Sequence, residues 1–166
     1  MLHNNRHVLL TLLLALSPAL MALPSDKDAP VEIEADSADI DGTTNTTTYR
    51  GKVRIRQGSM ELSADKVVIR FKGRKPDTLT ATGKPAKFRQ LPEKDKGWVT
   101  GQGETIVYRI NSEELVLTDN AVLTQNEDSF RSDRIVYDRV KARLKAGAAA
   151  EGSQRVKVII HPQDNP

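Results

Sequence analysis

Residues 51–57 read Gly51-Lys52-Val53-Arg54-Ile55-Arg56-Gln57, and their reading decides the fold. Apolar and cationic side chains alternate at every second position. Successive side chains of a β-strand point to opposite faces, so Val53 and Ile55 turn inward while Lys52, Arg54 and Arg56 turn outward. Lys84-Pro85-Ala86-Lys87-Phe88-Arg89-Gln90 and Asp119-Asn120-Ala121-Val122-Leu123-Thr124-Gln125 align with it without gaps. Each copy closes on a Gln, at 57, 90 and 125, so adjacent copies are 33 and 35 residues apart. A shorter pattern recurs four times, as Ala35-Asp36, Ala64-Asp65, Gly103-Glu104 and Ser132-Asp133, each followed after four positions by Ile or Tyr. Self-similarity near 30 residues, with two short strands per unit, predicts a stacked β architecture in which no unit buries its apolar face alone.

Working outward, Val31-Glu32-Ile33-Glu34-Ala35 alternates apolar and acidic residues and reads as a first strand. Turn signals at Asp41-Gly42, Gln57-Gly58, 72–77, Gly83-Lys84-Pro85, 91–97, Asn111-Ser112 and 126–128 separate further strand-like runs. The last run is Val156-Lys157-Val158-Ile159-Ile160, with a polar tail over 162–166. Residues 138–146 place Val140 and Leu144 four apart, a helical spacing, but among so many strands a strand or turn is the preferred reading. The predicted class is all-β and antiparallel, with one domain over 31–161.

The first 22 residues carry one Arg, then an apolar run from Val8 to Ala22 interrupted by Pro18. That run falls short of the roughly 20 residues a spanning helix needs, so it reads as a cleaved secretory signal, the alternative being an uncleaved anchor. Residues 23–30 form a polar, Pro-containing lead-in that is expected to be flexible. There is no Cys, so packing alone must hold the exported domain. Aromatic residues make up 4% of the chain, which argues against the aromatic girdles of a membrane barrel. Together these predict a periplasmic or exterior location. The 25 cationic residues stand against 22 anionic ones, giving +3, a mixed surface.

Chemistry is sparse. His3 and His7 belong to the leader, leaving His161 as the one imidazole of the domain. That removes a Ser-His-Asp triad, a His-rich metal site and most general-base schemes, and the missing Cys removes thiol chemistry. No cofactor or metal is predicted. Asp36, Asp65, Glu104 and Asp133 could be imagined as paired carboxylates of a glycosidase. Their recurrence in register favours corner or solvent positions instead. The row Arg50, Lys52, Arg54, Arg56 reads as the wet face of a half-buried strand; nucleic acid would want stacking aromatics among the cations. The inward set is Val31, Ile33, Val53, Ile55, Met60, Leu62, Phe88, Ile106, Tyr108, Ile110, Leu115, Leu117 and Leu123. It reads either as a filled core or as the lining of a trough open to acyl chains.

The segments Pro30–Asp36, Tyr49–Gln57, Ser63–Val68, Gly83–Phe88, Val116–Ala121 and Asp133–Tyr137 together resemble the LptA/OstA-like periplasmic lipopolysaccharide-transport proteins, in detail the pseudomonad type. The resemblance spans nearly the whole domain. It implies an open antiparallel β-jellyroll whose copies stack head to tail across the periplasm. An LptC-like inner-membrane protein of an ABC transporter complex would meet one end and an LptD-like outer-membrane translocon the other. Lipopolysaccharide would travel with its lipid A acyl chains in the apolar groove, and energy would come from the transporter. Carried onto this chain, groove positions are Val31, Ile33, Phe88, Tyr108 and Ile110, with Val53, Ile55 and Leu117 beside them.

An open stack has two edges, Val31–Ala35 and Val156–Ile160, whose unpaired amides can template a neighbour; first edge on last edge builds a heterologous filament. Competing readings are a ligand-free structural or adhesive β-repeat, a membrane-anchored LptC-like relative and, more distantly, a glycosidase.

Overall fold

Six strands of 11–16 residues, each bent once near its middle, carry the architecture. The computed structural model describes residues 26–92, 97–141, 143–147 and 155–162. A 3-10 turn, Asp26–Asp28, precedes β1 (Val31–Glu34) and β2 (Ser37–Asp41). The long strands follow: β3 (Thr46–Gln57), β4 (Met60–Lys72), β5 (Lys75–Gln90), β6 (Val99–Arg109), β7 (Glu114–Gln125) and β8 (Asp128–Asp138). β9 (Arg143–Ala146) and β10 (Lys157–Ile159) close the chain. Every pairing is antiparallel, and β3 to β8 lie side by side in chain order. The expected all-β, antiparallel, open jellyroll is what forms. Residues 139–141 are a turn leading into β9, as preferred over a helix. The leader, residues 1–22, and most of the tail lie outside the described residues.

The short strands expected from the repeats are halves of longer ones. The pairing register slips between Arg50 and Val53, Ser63 and Lys66, Thr82 and Ala86, Gln102 and Thr105, and Thr118 and Ala121. Each slip faces the next across the sheet, so the bulges form one line along which the sheet folds. The inward parity changes there: Ala64 is followed by Val67, Ala81 by Ala86 and Ser132 by Ile135, all buried. Read linearly, a missed beat looks like a strand end; in space the ladder continues past it.

Local chemistry explains the bends. Gly51 and Lys52 have φ of 80° and 46°, and Asp119 and Asn120 have 59° and 56°. Glycine, Asn and Asp enter the left-handed region at low cost. β5 turns at Gly83–Pro85, where the Lys84–Pro85 peptide is cis. A Cβ on Gly103 would lie 2.8 Å from the Thr118 carbonyl oxygen, so no larger residue fits without moving backbone.

Folding along this line yields two eight-stranded leaves. The first holds β2, β9 and the β3–β8 halves around Tyr49, Val67, Ala81, Ile106, Leu117 and Ile135. The second holds β1, β10 and the halves around Ile55, Leu62, Phe88, Leu123 and Phe130. Their inner faces merge into one apolar cluster. Beside the fold line the second leaf presents Ala64, Ala86, Gly103, Ala121 and Ser132, all buried. Small residues belong where two sheets converge. Farther out stand Leu62, Phe88, Leu79 and Leu115, filling the widening wedge.

The edges differ from expectation. β1 and β2 both pair with β3, on opposite sides of the fold, and β10 and β9 both pair with β8. Among the described residues there is therefore an edge pair on each leaf: β1 and β10 on the second, β2 and β9 on the first. Ala35, Val156 and Ile160 lie just outside the strands they were assigned to. Linear reading cannot see that one bent strand accepts two partners on the same side.

Candidate functional site

The wedge between the leaves collects most of the predicted lining. Val53, Ile55, Phe88 and Leu117 are buried, and Ile33 and Tyr108 pack against them half-buried. Two residues depart. Val31 is 55% exposed: it begins an edge strand, opposite Gln57, at the outer margin of the leaf. Ile110 is half-buried in the β6–β7 turn, where its N–H donates to the Asp77 carbonyl (3.0 Å) instead of continuing the inward row.

The wedge is filled nearly to its mouth. Between Ile55, Met60, Leu62 and Phe88 on one leaf and Leu79, Tyr108 and Leu115 on the other remains a gap of about 20 Å³. That is room for about one water. In this arrangement no chain of methylenes fits without the leaves parting.

Two residues at the mouth, Arg139 and Asp26, escaped the sequence reading. Arg139, just after β8, is the one charged side chain among the described residues that line that gap. Its Nη1 donates to the Tyr108 hydroxyl (3.0 Å) and its guanidinium lies 5.9 Å from the Tyr108 ring centre. Asp26, in the lead-in, accepts from the Ser59 N–H (2.8 Å), the Ser59 hydroxyl (2.7 Å) and Gln90 Nε2 (2.7 Å). Gln57 Nε2 donates to the Ala29 carbonyl (3.2 Å). The lead-in is thus strapped over the β3–β4 turn and the end of β5, at the mouth of the wedge. The repeated Gln was the available signal: two of its copies, Gln57 and Gln90, hold the strap.

Burial alone would raise the Asp26 carboxyl, but hydrogen bonds from the Ser59 N–H, Gln90 and the Ser59 hydroxyl, with the charge of Arg139, outweigh it and leave it lowered. A group lowered on folding adds stability that is present above its unfolded value and lost as pH falls through its folded one. Asp26→Ala is therefore expected to cost about 1–2 kcal/mol at pH 7. The deficit against the parent should shrink below about pH 4, in urea melts at both pH values. A deficit independent of pH would contradict the strap.

The repeated acids mark the fold line. Asp36 bridges β1 and β2, while Asp65, Glu104 and Asp133 sit on the alternate strands β4, β6 and β8 at the register slips. The first three are exposed. The Asp36 N–H donates to the Gly51 carbonyl (3.0 Å), and Glu104 accepts from Asn120 Nδ2 (3.2 Å) at the neighbouring corner. Among the described residues no cluster of His, Cys, Asp or Glu gathers to hold a metal.

Comparison with known proteins agrees with this geometry. The family described as LptA/(LptD N-terminal domain) LPS transport protein matches residues 32–143. The lipopolysaccharide export system protein LptH of Pseudomonas aeruginosa is 37% identical over 154 residues, covering 89% of this chain and 87% of that protein. The lipopolysaccharide export system protein LptA of Escherichia coli K12 is 34% identical over 157 residues, covering 93% and 83%. The crystal structure of LptH, the LptA-homologous periplasmic component of the lipopolysaccharide transport device of P. aeruginosa, superposes with a TM-score of 0.77 at 33% identity. It covers 84% of this chain and all of that one. With two bent leaves, an apolar wedge and this kinship over most of its length, the chain belongs to the LptA/(LptD N-terminal domain) family of lipopolysaccharide transport proteins.

Proposed function

We propose that this protein carries lipopolysaccharide through the periplasm, holding lipid A acyl chains between its leaves, after removal of residues 1–22 as a signal. The observation that carries this reading is the inner face of the second leaf. From Ile33 on β1 through Ile55, Leu62, Phe88, the buried Gly101 of β6, Leu123 and Phe130 it presents no polar side chain across seven strands, and it ends at edges open to another copy. Copies joined β1 to β10 would make that lining continuous. The relatives named as lipopolysaccharide export proteins support the cargo. An LptC-like protein at one end and an LptD-like translocon at the other are the partners this reading assigns. The chain transforms nothing; the transporter supplies the energy. Because the gap is small, loading requires the leaves to part at the mouth, where the lead-in strap and Arg139 sit.

The filled wedge equally suits a ligand-free structural protein, so the test must see lipid inside. A photo-reactive residue at Phe88 in cells is expected to crosslink lipopolysaccharide, whereas one at the exposed, outward Lys66 is not. Absence of an adduct at 88 in folded, exported protein would overturn the carrier and favour the structural reading.

A further inference from the structure

The outer face of the second leaf, behind the wedge, is concave. A groove of about 590 Å³ crosses β3 to β7, lined by the outward Arg54, Arg56, Lys87, Arg89, Gln102 and Thr124. An adjoining hollow of about 300 Å³ shares Arg54 and Lys87 and adds Lys52 and Lys84. Six cations thus face two lining acids, Glu61 and Asp65. Glu61 is committed: Arg89 grips it with two hydrogen bonds (3.0 and 2.8 Å). Arg54 and Arg56 reach Glu34 and Glu32 of the edge strand only at 3.9–4.0 Å, between exposed groups, contacts worth little. Lys84 and Lys87 make no ion pair among the described residues. At the rim, Trp98 is 44% exposed and lies 5.1 Å from the Arg89 guanidinium.

We propose that this groove binds a phosphorylated oligosaccharide. Arginine and lysine in a concave wall match phosphate groups. The exposed indole offers a flat apolar face to a sugar ring, and Gln102 and Thr124 offer hydrogen bonds to its hydroxyls. Other anions fit less well. A nucleic acid strand wants successive stacking aromatics, and only Trp98 stands here. An acidic peptide docking by strand addition needs an open edge, and β4 to β6 are paired on both sides. A flat anionic membrane cannot reach the floor of a concave face. The site is separated from the wedge by the leaf itself, so it stands whether or not acyl chains enter the interior.

The test uses the purified exported protein and a bis-phosphorylated glucosamine disaccharide without acyl chains, followed by NMR. The Trp98 indole and the methyls of Thr124 and of Thr100, which also lines the groove, are expected to shift, and the Ile106 and Leu117 methyls are not. Lys84→Glu with Lys87→Glu should weaken binding about tenfold or more with an unchanged melting temperature. Trp98→Ala should weaken the disaccharide about threefold while leaving inorganic phosphate unaffected. Three results would each overturn the proposal: shifts confined to the interior methyls, inorganic phosphate binding as tightly as the disaccharide, or an oligoglutamate peptide competing equally.

Discussion

Leu117→Asp is expected to abolish cooperative folding. Leu117 is fully buried near the middle of β7, in register with Ile106 on one side and Ile135 on the other. It also reaches across the wedge: its Cδ1 lies 3.1 Å from where a Cβ on Gly101, in the opposite leaf, would stand. Truncating such a side chain to Ala costs about 2–5 kcal/mol. An aspartate there adds an unpaired buried charge, several kcal/mol more. The whole domain has only about 5–15 kcal/mol to lose. Leu117→Ala should keep a single thermal transition, lowered by about 5–15 °C, while Leu117→Asp should show none by circular dichroism. A sigmoidal melt of Leu117→Asp close to that of the parent would mean the leaves do not depend on this contact.

The second large effect concerns assembly. β10 is three residues long, and its Val158 and Ile159 are 45% and 44% exposed, so its edge can change without touching the core. Of two consecutive strand residues, one N–H faces the paired neighbour and the other the open side. Val158→Pro with Ile159→Pro therefore removes an outward donor wherever the register falls, and proline blunts a strand edge sterically. Head-to-tail association should weaken about tenfold or more by light scattering, with the melting temperature nearly unchanged. Multimers persisting at parental strength would move the contact to the β2 and β9 edges and overturn the β1-to-β10 joint.

The two repeated patterns were both real and both incomplete in linear form. The small-then-acid pair at 64–65, 103–104 and 132–133 places a small residue inward at the fold line and an acid outward beside it. The spacing was visible; that it marks a bulge rather than a strand end was not, since parity changes in the same way at both. The closing Gln residues were visible as a pattern, but the partner of Gln90, Asp26, lies 64 residues away and only contact reveals it. Arg139 gave no signal, because a lone Arg after a strand is ordinary until Tyr108 meets it.

By itself the sequence determined the class, the inward rows and the kinship. Alternation states which face of a strand is buried, and Val53, Ile55, Phe88 and Leu117 obey it because that rule is local to each strand. The tertiary structure decided what the buried face is buried against. Folding along the bulge line set the two leaves on each other, gave each its own edges, narrowed the wedge to a gap of about 20 Å³ and left Val31 outside. These depend on where remote strands meet, and periodicity along one strand carries no information about distance across two sheets.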